Sequence, residues 1–122
     1  MIRMHLRDLS QYIEIQIDES LEERFMDSEE LYVRFLKKLA AADDFAAVQT
    51  LAAAGDWQET LRRAHNLKGV CGSLGLTKLQ SQLAELVRIL RSQDFTADAV
   101  VAQLQVIAPE WQKTLELINS LA

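Results

Sequence analysis

The sequence predicts an all-α fold, an antiparallel up-and-down four-helix bundle with a short N-terminal helical lead-in. Three observations carry this expectation. Apolar residues recur by threes and fours along most of the chain, the spacing of a buried helix face. Gly and Pro supply only four and one of the 122 residues, while the helix formers Leu, Ala, Gln and Glu abound. Capping signals separate the apolar stripes, and connections of a few residues make successive helices antiparallel neighbours. At this length the chain reads as one domain, residues 1–122, large enough to bury a core.

The lead-in covers residues 1–25. Leu6, Leu9 and Ile13 recur at helical spacing. Ile13-Glu14-Ile15-Gln16-Ile17 alternates like a strand, but nothing later in the chain offers it a sheet. It reads as an extended connector with its isoleucines packed on the bundle, and Asp18 to Phe25 as a short helix. Asp27 with Glu30 forms a capping box for the first rod, about 28–54. Leu31, Phe35, Leu36 and Leu39 are its apolar face; Asp43-Asp44 interrupts it, so the rod is broken or kinked. Phe45, Val48, Leu51 and Ala52 continue the face to a stop at Gly55.

Asp56 with Glu59 opens the next helix, 56–73, and Gly75 ends it. Thr77 with Gln80 caps the third rod, 76–91, whose seam is Leu76, Leu79, Leu83, Leu86 and Leu90. Ser92 to Thr96 is a loop. The last rod, 97–121, carries the stripe Val100, Leu104, Ile107, Trp111, Leu115 and Ile118. Pro109 falls inside it, frees the carbonyl of Gln105, and should kink or split the helix.

Composition narrows the function. No apolar run approaches the roughly 20 residues of a membrane span, and no basic, apolar, small-residue start resembles a signal peptide. Cys71 is the only cysteine, so neither an intrachain disulfide nor a cysteine metal cluster can form. These features point to a cytoplasmic location with no membrane association. A net charge of −5 argues against nucleic-acid binding, which needs a basic surface. The initial Met1 favours a free-standing protein over a piece of a larger one, and nothing in the chain demands more than a monomer.

Chemistry concentrates in Leu61 to Gly75, LRRAHNLKGVCGSLG. This stretch holds one of two histidines and three of four glycines. On a helix, His65, Lys68, Gly69 and Gly72 fall at i, i+3, i+4 and i+7, one face. Ala64, Leu67, Cys71 and Leu74 form the opposite, core-facing stripe. Each glycine inside a helix costs about 0.8–1 kcal/mol relative to alanine. An offsetting reason is the close approach of another molecule beside the imidazole. His5, the other histidine, has no lysine or glycine at these offsets and reads as a surface residue.

Ala64-His65-Asn66-Leu67-Lys68-Gly69, followed by Gly72 and Gly75, resembles the signature of histidine-containing phosphotransfer (HPt) domains. The resemblance implies a four-helix bundle and an exposed acceptor histidine. His65 would take a phosphoryl group from a receiver-domain aspartyl phosphate and pass it to another receiver aspartate. The implied partners are response-regulator receiver domains and a hybrid sensor histidine kinase. No cofactor is implied for this chain, since the Mg²⁺ and acid residues would belong to the receiver. The acceptor nitrogen implied is Nε2. Some family members hold the other ring nitrogen with a polar residue on the following helix; here Val87 stands near that place.

An imidazole, with its ordinary pKa of about 6.5, is a nucleophile near neutral pH, and its bond to phosphorus is labile enough for onward transfer. Lys68, one turn after His65, would neutralise phosphoryl oxygens. Gly69 and Gly72 would leave room for the phosphoryl group and the incoming receiver. Arg62, Arg88 and Arg91 would add a basic spot to an acidic protein and steer the encounter. Trp57 and Leu61 are candidates for an apolar docking patch. Cys71 reads as a small core residue. The chain has neither GxxxxGK[ST] nor GxGxxG, so no kinase or ATPase activity of its own is expected. The alternative function is a non-phosphorylated helical adaptor that binds receivers or another helical partner. A ferritin-like metalloenzyme would need Glu three residues before its histidines, where Arg62 and Ile2 stand instead.

Overall fold

The computed structural model describes residues 4–122, which are all-helical apart from connections and one isolated bridge. The first three residues of the expected lead-in lie outside the described residues. A 3-10 turn at Leu6–Gln11 precedes α1 (Ile17–Arg24), α2 (Glu29–Ala42), α3 (Asp44–Ala53), α4 (Trp57–Ser73), α5 (Thr77–Arg91) and α6 (Ala97–Asn119). Helix α4 packs on α3 and α5, α5 packs on α6, and α6 also meets α2 and α3. No helix among the described residues is long and apolar enough to cross a membrane.

One core runs through all of these elements. Helix α4 contributes Ala64, Leu67 and Cys71, all buried, with Leu74 just beyond its end. The α5 seam from Leu76 to Leu90 and the α6 stripe from Val100 to Ile118 are likewise buried. Burial, the larger cause, pushes the Cys71 thiol up to about 12, and the negative charge of Asp44 adds to it. The thiol therefore stays protonated and inert.

The connector is extended, and it buries Ile13 and Ile15 before Ile17 opens α1. It also grips the turn after α4. Gly75 there has φ +73°, and Leu76 N–H and Gly75 N–H close on the carbonyls of Cys71 and Gly72, a Schellman stop. The Gln16 N–H donates to the Gly75 carbonyl at 2.9 Å, and Thr77 Oγ1 donates to Glu14 Oε1 at 2.7 Å. The same glycine thus ends a helix and admits a neighbouring backbone.

Several local expectations are corrected. Ser28, not Asp27, caps α2, accepting from Leu31 N–H at 3.2 Å. Asp27 has φ 60°, a left-handed conformation, whereas Ser28 has the extended backbone of an N-cap. Thr77 is the first residue of α5 rather than its cap, because the turn at Gly75 leads directly into the helix. The buried face of α2 is Tyr32, Leu36, Leu39 and Ala40, so Phe35 turns outward and Leu31 is half-buried. The capping box expected of Asp56 and Glu59 is half formed. Asp56 Oδ1 accepts from Glu59 N–H at 3.2 Å, but the Asp56 N–H goes to the Leu51 carbonyl.

The rod from α2 to α3 is broken at Asp43, which takes φ 44° and ψ 53°. Its carboxylate accepts from Trp111 Nε1 of α6 at 2.8 Å, so a buried indole N–H is satisfied at the same residue that turns the chain. Helix α6 is not split. It passes through Pro109 as one element, with the proline exposed and Trp111 buried two residues later.

Candidate functional site

Helix α4 is fixed on its inner side by Thr60, Ala64, Leu67 and Cys71. That rigid seat leaves His65 exposed and Lys68 half-buried on the outer side. A methyl group added at Gly69 would meet nothing within 4 Å, so the backbone beside the imidazole is open. Gly72 differs. A Cβ there would stand 2.6 Å from Gln80 Nε2, so the space expected for a visiting group is filled by a side chain from α5. Gln80 is flexible and exposed, and the bare backbone of Gly72 serves helix packing.

The candidate cations separate into two kinds. Arg62 Nε lies 3.0 Å from both carboxylate oxygens of Glu59, and Arg88 Nε lies 2.9 Å from Glu85 Oε2. Hydrogen bonding from Arg62 holds the Glu59 carboxyl below its usual range, and Arg88 does the same to Glu85. These two arginines are therefore largely neutralised. Among the described residues, neither Lys68 nor Arg91 pairs with a carboxylate. Arg91, in the last turn of α5, brings its Nη2 to 3.5 Å from His65 Nδ1. Val87, one turn earlier, is buried and apolar and offers the ring nothing.

A hollow of about 530 Å³ joins His65, Leu61, Arg62 and Arg91. Trp57 is half-buried and sets its ring edge-on to Phe95, with centroids 5.6 Å apart. That contact ties the indole to the loop between α5 and α6, so it presents less free surface than its sequence position suggests. A larger groove, about 1020 Å³, lies on the other flank of α4. Phe25, Phe35 and Leu39 line one wall, and Asn66, Gly69 and Val70 line the other. Phe35 and Val70 are each 43% exposed, high for such side chains and concentrated next to the histidine.

Sequence reasoning did not find this groove or the pairing of Arg91 with the ring. The groove had a signal: Tyr32, Leu36, Leu39 and Ala40 match i, i+4, i+7 and i+8 better than a stripe through Phe35. The arginine contact had none, because it joins residues 26 positions apart on two helices.

His65 thus stands exposed on a helix whose inner face is buried, with the open backbone of Gly69 on one side and Arg91 across from its ring. Residues 30–120 match the family model of the Hpt domain. The chain belongs to that family, whose members are phosphocarriers in phosphorelays. Comparison with curated proteins and with solved structures gave no match.

Proposed function

We propose that this chain, acting as one domain, is a phosphorelay intermediate that accepts a phosphoryl group on His65 and passes it on. Donor and acceptor are aspartates of response-regulator receiver domains, the first fed by a hybrid sensor histidine kinase. The broken rod α2–α3 together with α4, α5 and α6 serves as an antiparallel four-helix scaffold, working as a cytoplasmic monomer. The observation that carries this reading is the exposed His65 on α4 beside the open backbone of Gly69.

The chemistry is a displacement at phosphorus. The Nε2 lone pair attacks phosphorus, a P–N bond forms, and the bond from phosphorus to the bridging aspartyl carboxyl oxygen breaks, releasing the receiver carboxylate. The ring, then a phosphoimidazolium, loses its Nδ1 proton to solvent. Onward transfer runs the same steps in reverse on a second receiver. Lys68 offsets the phosphoryl charge, and Gly69 lets the receiver approach. Mg²⁺ acts on the receiver's side of the complex. Arg62 and Arg88, paired with Glu59 and Glu85, contribute to orientation more than to net potential.

Receiver docking extends over the groove between α2 and α4. It is continuous with Gly69 and Asn66 beside His65, and Arg24 and Lys38 on its lining suit an acidic partner. Leu61 and Trp57 form the other edge of the footprint. Transfer of radiolabel from a phosphorylated receiver tests the reading. His65→Gln should abolish labelling, and label retained at full level in that variant would remove His65 as the carrier.

A further inference from the structure

We propose that the turn between α1 and α2 selects among receivers: Met26 is held outward at the rim of the groove as an apolar anchor for the preferred partner, with Arg24 as its charged companion. The inference rests on the carrier reading above and adds to it a source of partner choice.

Three non-glycine residues among those described take a positive φ: Met26 at 52°, Asp27 at 60° and Asp43 at 44°. In that region Cβ crowds the following carbonyl, and aspartate is one of the few types that tolerate it. Asp43 also receives the Trp111 N–H. Methionine has no polar group with which to bond the backbone in return. Met26 directly follows the C-cap of α1, as Gly55 follows that of α3 and Gly75 that of α4. At those two stops the left-handed residue is glycine. Glycine at position 26 would close α1 with less strain.

The fold gains nothing from the methionine side chain. Met26 is 82% exposed, more than any other large hydrophobic among the described residues. Backbone alone closes the turn: Asp27 N–H donates to the Leu21 carbonyl at 2.8 Å, and Ser28 N–H to the Phe25 carbonyl at 2.8 Å. Strain that the interior does not use is a mark of surfaces that meet other molecules.

The turn stands beside the groove between α2 and α4. Phe25, next to Met26, lines that groove together with Arg24. Its ring stacks on Tyr32 at 4.8 Å and tilts against Phe35 at 5.5 Å. The stack fixes the root of Met26 and leaves its thioether, a flexible and adaptable apolar group, free to fill a recess on a partner. Arg24 is exposed and, among the described residues, pairs with no carboxylate, so it can meet an acidic surface. Residues 24–26 precede the segment 30–120 that matches the family model. Part of the groove wall thus lies outside the family segment, where partner choice can vary while the His65 face stays the same. A thioether takes no part in proton or phosphoryl transfer, so its contribution falls on KM.

The test follows label transfer to the full chain from each of several phosphorylated receiver domains of the same cell, at varied receiver concentration. Met26→Gly, which suits the left-handed backbone, should raise KM about tenfold for the receiver the parent uses best, with kcat within about twofold. Receivers the parent uses poorly should change by less than about twofold. Met26→Leu, which keeps an apolar tip, should recover most of the lost KM. In urea unfolding the midpoint of Met26→Gly should stand at or above that of the parent, which separates weaker docking from loss of fold. A lower midpoint overturns the strain from which the anchor is inferred. An unchanged KM for the best receiver, or an equal rise for every receiver, overturns selection by this turn and leaves the carrier reading standing. A parent that takes no label on His65 from any receiver overturns the carrier reading and this proposal with it.

Discussion

Replacing Gly75 by alanine should destabilise the fold more than the same change at Gly55, although the two glycines share a backbone conformation. Their φ values are +73° and +74°. In that region an alanine Cβ crowds the following carbonyl, at about 1–2 kcal/mol. At Gly55 nothing lies within 4 Å of the added carbon, so that strain is the whole effect. At Gly75 the added carbon would meet Ser20 Oγ at 2.5 Å and the Gln16 carbonyl oxygen at 2.7 Å. The second is backbone and cannot swing aside. The connector must retreat, which removes the bond from Gln16 N–H to the Gly75 carbonyl, about 0.5–1.5 kcal/mol. The retreat also loosens the packing of buried Ile15 and Ile17. The total for Gly75→Ala is about 2–4 kcal/mol, against about 1–2 for Gly55→Ala. Urea unfolding of both variants, followed by circular dichroism, measures the difference. Equal losses would refute the grip of the connector on this turn. Gly69→Ala completes the set with the opposite sign. It lies in a regular helix with open space around it and should gain about 0.8–1 kcal/mol. If bare backbone there serves the visiting receiver, this stabilised variant should transfer phosphoryl more slowly than the parent.

Three further outcomes follow from particular contacts. Trp111→Phe removes the donor to Asp43 and should cost about 1–2 kcal/mol in urea unfolding, with the larger part lost already in Asp43→Ala. Stability should fall as pH rises from about 9 toward 12, because burial raises the folded Cys71 thiol to about 12 from 9.0. Below that window both states keep the proton; within it only the unfolded chain releases it. Cys71→Ala should make the decline shallower, and an equally steep decline would rule out that thiol as its source. Val70→Glu places a carboxylate in the groove at a 43% exposed site. It should leave the unfolding midpoint within about 0.5 kcal/mol of the parent while slowing transfer from an acidic receiver severalfold, read by label transfer.

The helical class and most of the core were legible because burial on a helix obeys a fixed period. The stripes Ala64–Leu67–Cys71–Leu74 and Val100 through Ile118 needed only spacing to be read, and all are buried. The caps were less legible. Asp27 and Ser28 both suit an N-cap, and the choice fell to Ser28 because Asp27 is held in a left-handed turn after α1. Phe35 misled because an aromatic residue near a stripe reads as core, whereas Tyr32 takes that place and donates its hydroxyl to the Leu74 carbonyl. At the site, the helix face bearing His65, Lys68 and Gly69 could be read from offsets along one helix. What lies across from it could not. The partners of His65 and Gly72, namely Arg91 and Gln80, come from α5, and no local pattern encodes which turn of a neighbouring helix arrives opposite a given side chain.

The pairing of Met4 with Leu121 bears on how the chain can be rebuilt. Met4 N–H donates to the Ser120 carbonyl at 2.9 Å, and Ala122 N–H donates to the Met4 carbonyl at 3.0 Å. A covalent link between these two ends would need only a few residues, and new termini could open at exposed Gln93 and Asp94, between α5 and α6. In such a circular permutant α4 would move from the middle of the chain toward its C-terminal end, flanked by the same neighbours. The face that carries His65 would then be separable from the order in which its supporting helices are synthesised.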